Sequence, residues 1–357
     1  MLSQLTIRNF RNLSALDLEF PPGGAVIIGE NGQGKTNLLE AIYYLVLFRS
    51  LRGAKDVELV RFGSDAFFVG GTAADHRITA GYEIAGHRKK VTVDGVAADK
   101  LSEVVGRMLA VPFSPADAGV VGSGPGARRR YIDVLLSVSD RVYLTRLTEM
   151  RAALRQRNAA LRHGRGDEAR AFDAPLAEGA AHVAAARRRW VDQWSARYGE
   201  LCAALGESDR AEMRYHAHQP AADDVSGWRE RLAGSLDRDL RRAMTTVGPH
   251  RDDLKLALGG RELRAYGSAG QHRTAAIALR VLEAETLAAA RGGREPPIGL
   301  FDDVFAELDE GRQERLLRLI QGSLPGQAIV VAPRDAEVPA ALFDRPRWQI
   351  KGGRIVG

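Results

Sequence analysis

Gly29-Glu30-Asn31-Gly32-Gln33-Gly34-Lys35-Thr36 fits the spacing GxxxxGK[ST]. In that spacing the glycines leave backbone N–H groups free to close around phosphate oxygens, the lysine reaches the β and γ phosphates, and the threonine hydroxyl can ligate Mg²⁺. The string follows the apolar run Ala25-Val26-Ile27-Ile28 and leads, with Asn37 next in line, into a helix predicted from about Thr36 to Phe48. A strand that ends in such a loop and turns into a helix aims the helix N-terminus at the anion. Gly29 to Asn37 are therefore the candidate nucleotide-binding residues, with ATP and Mg²⁺ as the implied cofactors.

A triphosphate loop needs a second oxygen ligand for its metal. Ile298-Gly299-Leu300-Phe301-Asp302-Asp303 offers one at the end of an apolar strand. Asp302 is placed to hold Mg²⁺ together with Thr36, and Asp303 to orient or deprotonate the attacking water. Lys35, Asp302 and Asp303 form the expected catalytic set.

Ser268-Ala269-Gly270-Gln271 opens a long helix predicted over 271 to 291. A serine and a glycine at a helix start present a hydroxyl and bare N–H groups to an anion, although alone such a string often only caps the helix. Its place ahead of the aspartate pair makes it resemble the signature motif of ATP-binding-cassette ATPases, and Ala306-Glu307-Leu308-Asp309 resembles their D-loop. The resemblance implies that Ser268, Gly270 and Gln271 reach the ATP held by a second copy, so that two ATPs are sandwiched in a twofold pair. Preferential binding of ATP to the closed pair would then drive the switch.

The elements that must position these residues show as patterns. Period-two alternation over 2 to 8 and 15 to 20, the run at 25 to 28, and segments 66 to 72, 77 to 84 and 88 to 93 predict a mixed sheet, with Asp94-Gly95 as a hairpin turn. From Gly122-Ser123-Gly124-Pro125-Gly126 to about Met244 the chain is rich in Ala, Arg and Leu. Leu144, Leu147, Leu154 and Leu161 lie on one helical stripe, and Leu176, Val183, Trp190, Trp194 and Leu201 on another. Strands return at 254 to 258 and 261 to 266 around Gly259-Gly260, followed by strand 298 to 302, helix 310 to 321 and strand 328 to 332. The expectation is an α/β cassette-type ATPase head, 1–120 and 243–357, split by an inserted α-helical arm, 121–242.

With 357 residues, 45% hydrophobic and 27% charged, the chain can bury a core of about two domains, which excludes disordered, collagen-like and disulfide-stapled classes. Cys202 is the single cysteine, which fits a reducing compartment and cannot build a zinc cluster. No apolar run approaches the ~20 residues a bilayer requires, and the N-terminus lacks the pattern of a signal peptide. A cytoplasmic protein is expected. The formal charge is +6 with only seven lysines among 51 basic residues. Arginine suits phosphate pairing, so a polyanionic partner is compatible with this balance. His87-Arg88-Lys89-Lys90, Arg128 to Arg130 and Arg187 to Arg189 are the candidate contacts to duplex DNA phosphates, each also readable as a solvated face. His216-Ala217-His218 has metal-ligand spacing but no evident third ligand.

Leu5-x-Ile7-x-Asn9-Phe10-Arg11-Asn12 resembles the opening of DNA-maintenance cassette ATPases, which include SMC proteins and the RecF family. SMC proteins place hundreds of residues of coiled coil between loop and signature, whereas here only 126 to 242 read as helical. Asn31 to Tyr43, Arg128-Arg129-Arg130-Tyr131-Ile132-Asp133 and Gly248-Pro249-His250-Arg251-Asp252-Asp253 are similar to strings of the RecF family. That resemblance implies a weak Mg²⁺-dependent ATPase of recombinational repair, tied to DNA damage and the SOS response. It also implies ATP-dependent homodimerisation on duplex DNA near gaps or single-strand/duplex junctions, and recombinase loading with RecO and RecR. Two departures, Ala116-Asp117 in place of Glu-Asp and Pro333-Arg334 where cassette ATPases often carry a switch histidine, fit slow hydrolysis. Another SMC-like repair head and, from a different class, a P-loop kinase are the alternatives. A kinase has no need of the Ser268 string.

Overall fold

The computed structural model describes residues 1–219, 224–305, 309–324, 326–342 and 344–356. The contacts divide the chain into two compact units, Met1–Asp117 with Ile277–Gly357, and Ala118–Ala276.

The first unit holds two six-stranded sheets. One is wholly antiparallel, in the order Leu13–Glu19, Leu2–Phe10, Ala66–Ala73, His76–Glu83, Arg88–Val93, Val96–Ala97. In the other, Arg347–Lys351, Gly24–Ile28, Ala328–Ala332, Ile298–Asp302 and Ala110–Phe113 run parallel in that order, and Arg354–Val356 adds an antiparallel edge. The sequence grouped Gly24–Ile28 with the N-terminal strands. It belongs instead to the parallel sheet, as its unbroken apolar run suits a strand covered on both faces. The helix Lys35–Leu47 touches strands of both sheets and buries ten of its residues. Tyr44 meets Phe10 and Phe67 edge-on, with centroids 6.0 and 5.3 Å apart.

The second unit combines helices Pro125–Ser139, Arg141–Arg162, Asp173–Ala204 and Val225–Arg242 with a three-stranded sheet ordered Arg261–Glu262, Asp253–Leu258, Ala211–His216. Trp190 is buried edge-on to Tyr131. Two expectations are corrected here. The span read as helical contains the strand Ala211–His216, whose alternation of buried Ala211 and Met213 with more exposed Glu212 and Arg214 was hidden among helix-forming neighbours. Only Arg261–Glu262 of segment 261–266 pairs as a strand, since Leu263–Tyr266 coils into a helical turn. The texture drew the arm at 121–242, whereas contacts place 118–276 together. Strand Asp253–Leu258 pairs with Ala211–His216, and Asp253 takes both ends of the Arg128 guanidinium at 2.9 and 2.8 Å.

Candidate nucleotide site

The loop leaves the C-terminal end of Gly24–Ile28, between the parallel neighbours Ala328–Ala332 and Arg347–Lys351. A Cβ on Gly29 would lie 2.5 Å from the Ile350 carbonyl oxygen, so the strand exit is open to glycine alone. Gly34 has φ +113, where other residues are strained, and a Cβ there would lie 2.9 Å from Leu13 Cδ2. The loop is held from two sides. Asn12 donates to the Gly32 carbonyl at 3.2 Å and accepts from Asn37 Nδ2 at 2.8 Å. The N–H groups of Gly352 and Gly353 donate to Gln33 Oε1 and O at 2.7 and 2.9 Å. Gln33 and Asn37 are thus engaged in shaping the loop, while Glu30, Asn31 and Gly32 are exposed at its lip.

Lys35 is buried, and its Nζ donates to the carbonyls of Gly29 and Glu30 at 2.5 and 3.1 Å. Thr36 Oγ1 donates to Asp302 Oδ1 at 3.0 Å, bringing together two residues 266 positions apart. Burial pushes the Asp302 carboxyl up to about 6, with the Thr36 hydrogen bond opposing and the Asp303 charge adding to the rise. A carboxylate oxygen in contact with a hydroxyl oxygen is the donor set that a small, hard divalent cation takes. Thr36 and Asp302 therefore fit Mg²⁺. Asp303 follows with φ +50, a left-handed conformation that is uncommon for a non-glycine residue, and its N–H donates to the Val331 carbonyl at 3.3 Å. Such strain is often stored where a side chain must point one way.

The sequence reading missed the support behind this site. Glu40, fully buried on the helix that follows the loop, accepts from Ser50 Oγ at 2.5 Å and from Arg11 Nε at 3.1 Å, and pairs with Arg52. Burial raises its carboxyl, but the bonds from Arg52, Ser50 and Arg11 outweigh that and hold it below the usual carboxylate range. Arg52 also donates to Asn37 Oδ1 at 2.5 Å. A glutamate inside an apolar helix was the available signal, because a buried charge requires partners.

Ser268, Gly270 and Gln271 lie in the second unit, and Lys35, Thr36, Asp302 and Asp303 in the first. Ser268 N–H donates to Gln271 Oε1 at 2.9 Å and Gln271 N–H to Ser268 Oγ at 3.2 Å, a reciprocal capping box at the start of helix Ala269–Ala290. Gln271 is occupied in that box, and Ser268 is exposed. Of the D-loop string, Ala306 to Leu308 lie outside the described residues, and Asp309 caps helix Glu310–Ser323 by accepting from Arg312 N–H at 2.9 Å. Asp117 pairs with Arg280 at 2.5 Å.

The candidate DNA-contact runs are partly overturned. Arg128 is buried on Asp253, and Arg187 is buried on Asp133 at 2.7 Å while donating to the Pro249 carbonyl at 2.7 Å. Both are interior charges, bound to carboxylates that sequence spacing could not foresee. Lys89 pairs with Asp56 at 2.7 Å and lies over the Tyr44 ring.

Fold and loop together define an SMC-like, cassette-type ATPase head. A profile of the RecF/RecN/SMC N-terminal domain matches residues 1–344. The DNA replication and repair protein RecF of Anaeromyxobacter sp. (strain K) is 37% identical over 371 residues, covering 99% of this chain and 98% of its own. The RecF of Caldanaerobacter subterraneus subsp. tengcongensis is 36% identical over 90% of this chain and 92% of its own. A solved structure described as the recombination mediator protein RecF with ATP in the RecFOR pathway superposes with a TM-score of 0.89 at 33% identity, covering 99% of this chain and 96% of that one. An SMC head bound to the C-terminal winged-helix domain of ScpA, at 16% identity and a TM-score of 0.57, shares the fold, with 99% of this chain and 96% of that one covered. The chain belongs to the RecF/RecN/SMC N-terminal domain family, and within it to the RecF proteins of DNA replication and repair.

Proposed function

We propose that the chain binds ATP with Mg²⁺, closes as a homodimer on duplex DNA near gaps or single-strand/duplex junctions, and hydrolyses ATP slowly to reset. The observation that carries this reading is the Thr36–Asp302 hydrogen bond beside the buried Lys35. It joins the loop and the aspartate strand into one set of phosphate and metal ligands. Lys35 gives up its backbone carbonyl partners to the β and γ phosphates. Thr36 and Asp302 hold Mg²⁺, which supplies charge neutralisation on the phosphates when bound. Asp303 aligns water for attack and accepts its proton. Ser268 and Gly270 complete the site of the second copy, so ATP is the glue between protomers. The relative described as RecF with ATP in the RecFOR pathway supports the nucleotide and, by family, a cytoplasmic role in recombinase loading with RecO and RecR.

The test is light scattering with a non-hydrolysable ATP analogue. Wild-type protein is expected to double its mass. Ser268→Arg should keep analogue binding in the monomer while losing the dimer, since a bulky cation would stand where the second copy's γ-phosphate must approach. A dimer unaffected by the substitution would remove the sandwich.

A further inference from the structure

The two aspartates of the Gly248-to-Asp253 string are committed within the second unit. Asp253 takes Arg128, and Asp252 accepts from the Tyr215 hydroxyl at 2.5 Å and from His218 N–H at 2.9 Å. The nearby Asp133 serves Arg187 and Arg151, both at 2.7 Å, and the Tyr143 hydroxyl at 2.6 Å. With these carboxylates spent, the cations beside them are left in surplus. Arg251 has its Nε buried with no hydrogen-bond partner. Arg129 reaches only a backbone oxygen, that of Asp252, at 2.7 Å, and burial followed by the neighbouring Arg187 charge hold its guanidinium below the usual range. Arg130 is exposed beside it.

His250, in the same short turn, has a second orphan atom. Its Nε2–H donates to the Thr245 carbonyl at 3.2 Å, which leaves Nδ1 as a lone-pair acceptor, buried and without a partner. Burial and the adjacent Arg251 and Arg129 charges push its pKa down to about 4, so the ring is neutral at physiological pH. Buried polar atoms without partners are uncommon in folded proteins and mark places where a water or ligand belongs. A guanidinium whose Nε has no partner, next in the chain to a neutral acceptor that feels its charge, suits a phosphate carrying a bound water, with the exposed end of the arginine taking the anionic oxygen and His250 Nδ1 the water hydrogen. Gly248 keeps the turn open, because a Cβ there, at φ +136, would lie 2.9 Å from Nδ1.

We infer that Arg251, with Arg129 nearby and backed by His250, is a binding site for a backbone phosphate of duplex DNA. The inference rests on the proposed DNA-binding reading and assigns it to residues other than the buried Arg128 and Arg187.

The experiment measures fluorescence anisotropy of a gapped duplex with full-length protein and ATP across a salt series. Arg251→Ala is expected to weaken binding several-fold and to lower the slope of log K against log salt by about one. Arg251→Lys should recover most of both, because a phosphate contact needs the charge. If Arg251→Ala does not fold, Arg251→Gln replaces it with the same expectation. A wild-type-like slope in the uncharged variant overturns the inference, as does equal impairment of the Lys and uncharged variants, which would mark a packing role. Loss of analogue-driven dimerisation without DNA would assign the phosphate to nucleotide and also overturn it. Failure of wild-type protein to bind duplex would instead sink the DNA-binding reading itself.

Discussion

Arg157 in the helical unit and Lys35 in the nucleotide loop are buried in opposite ways. In the helical unit Arg157 is wholly buried and saturated. It meets Asp239 at 2.7 Å, Asp173 at 2.8 Å, Thr245 Oγ1 at 2.9 Å and the Leu232 carbonyl at 3.3 Å. Asp239 accepts in turn from Ser235 Oγ and from Thr246 N–H and Oγ1, at 2.8, 3.0 and 2.6 Å. In the nucleotide site Lys35 has two backbone carbonyls for partners, and Asp302 has one hydroxyl. In the first arrangement two carboxylates neutralise the charge; in the second the partners of the lysine are neutral carbonyls. A buried charge therefore signals function when its partners are too few to neutralise it, and architecture when they suffice.

The largest effect should come from the saturated network. Asp239→Ala would leave Arg157 buried with one carboxylate, and is expected to destabilise the protein by about 3–5 kcal/mol, read by urea denaturation. A loss below about 1 kcal/mol would show that the network is no better than a surface pair and would break the contrast.

Asp302→Asn should act in the reverse direction on stability. The folded pKa of about 6 lies above the ordinary 3.8, so the native state favours the protonated acid. That contribution is fully present below pH 3.8 and is lost as pH rises through 6. Without nucleotide, the variant is expected to be more stable than wild type at pH 7.5, and so to melt higher, by on the order of 1–3 kcal/mol of unfolding free energy, with the gap shrinking toward pH 4. Mg²⁺-dependent ATP turnover should be lost at every pH. A variant that melts lower at pH 7.5 would mean that Asp302 is already compensated.

The smallest effect is expected at the surface. Arg88 pairs with Glu83 at 2.7 Å with both side chains largely in solvent. Arg88→Ala should change stability by less than about 1 kcal/mol and vary with salt. A larger loss would show that pairing matters irrespective of burial.

Much of the candidate site was legible as pattern because its motifs are local in sequence. The loop of 29 to 36 needs its glycines at fixed spacing, the capping box of Ser268 and Gln271 closes within one helical turn, and the apolar strands at 25–28, 298–302 and 328–332 stand out as continuous runs. The strand Ala211–His216 was masked by its helical neighbours, and no local pattern announced that Arg128 and Arg187 would be interior. Arginine runs look alike whether they face solvent or a carboxylate 125 or 54 positions away.

The order of chemical groups along the chain was sufficient to mark the candidate phosphate loop, the aspartate pair and the candidate signature string, and to point to the family, since each is a short motif whose geometry its own backbone sets. Tertiary structure alone decided that Thr36 would touch Asp302, that Asn12 and the Gly352-Gly353 turn would clamp the loop, and which arginines would be spent on carboxylates. Those outcomes depend on which strands become neighbours and which charges lose water together, and both follow from burial across distant segments of the chain.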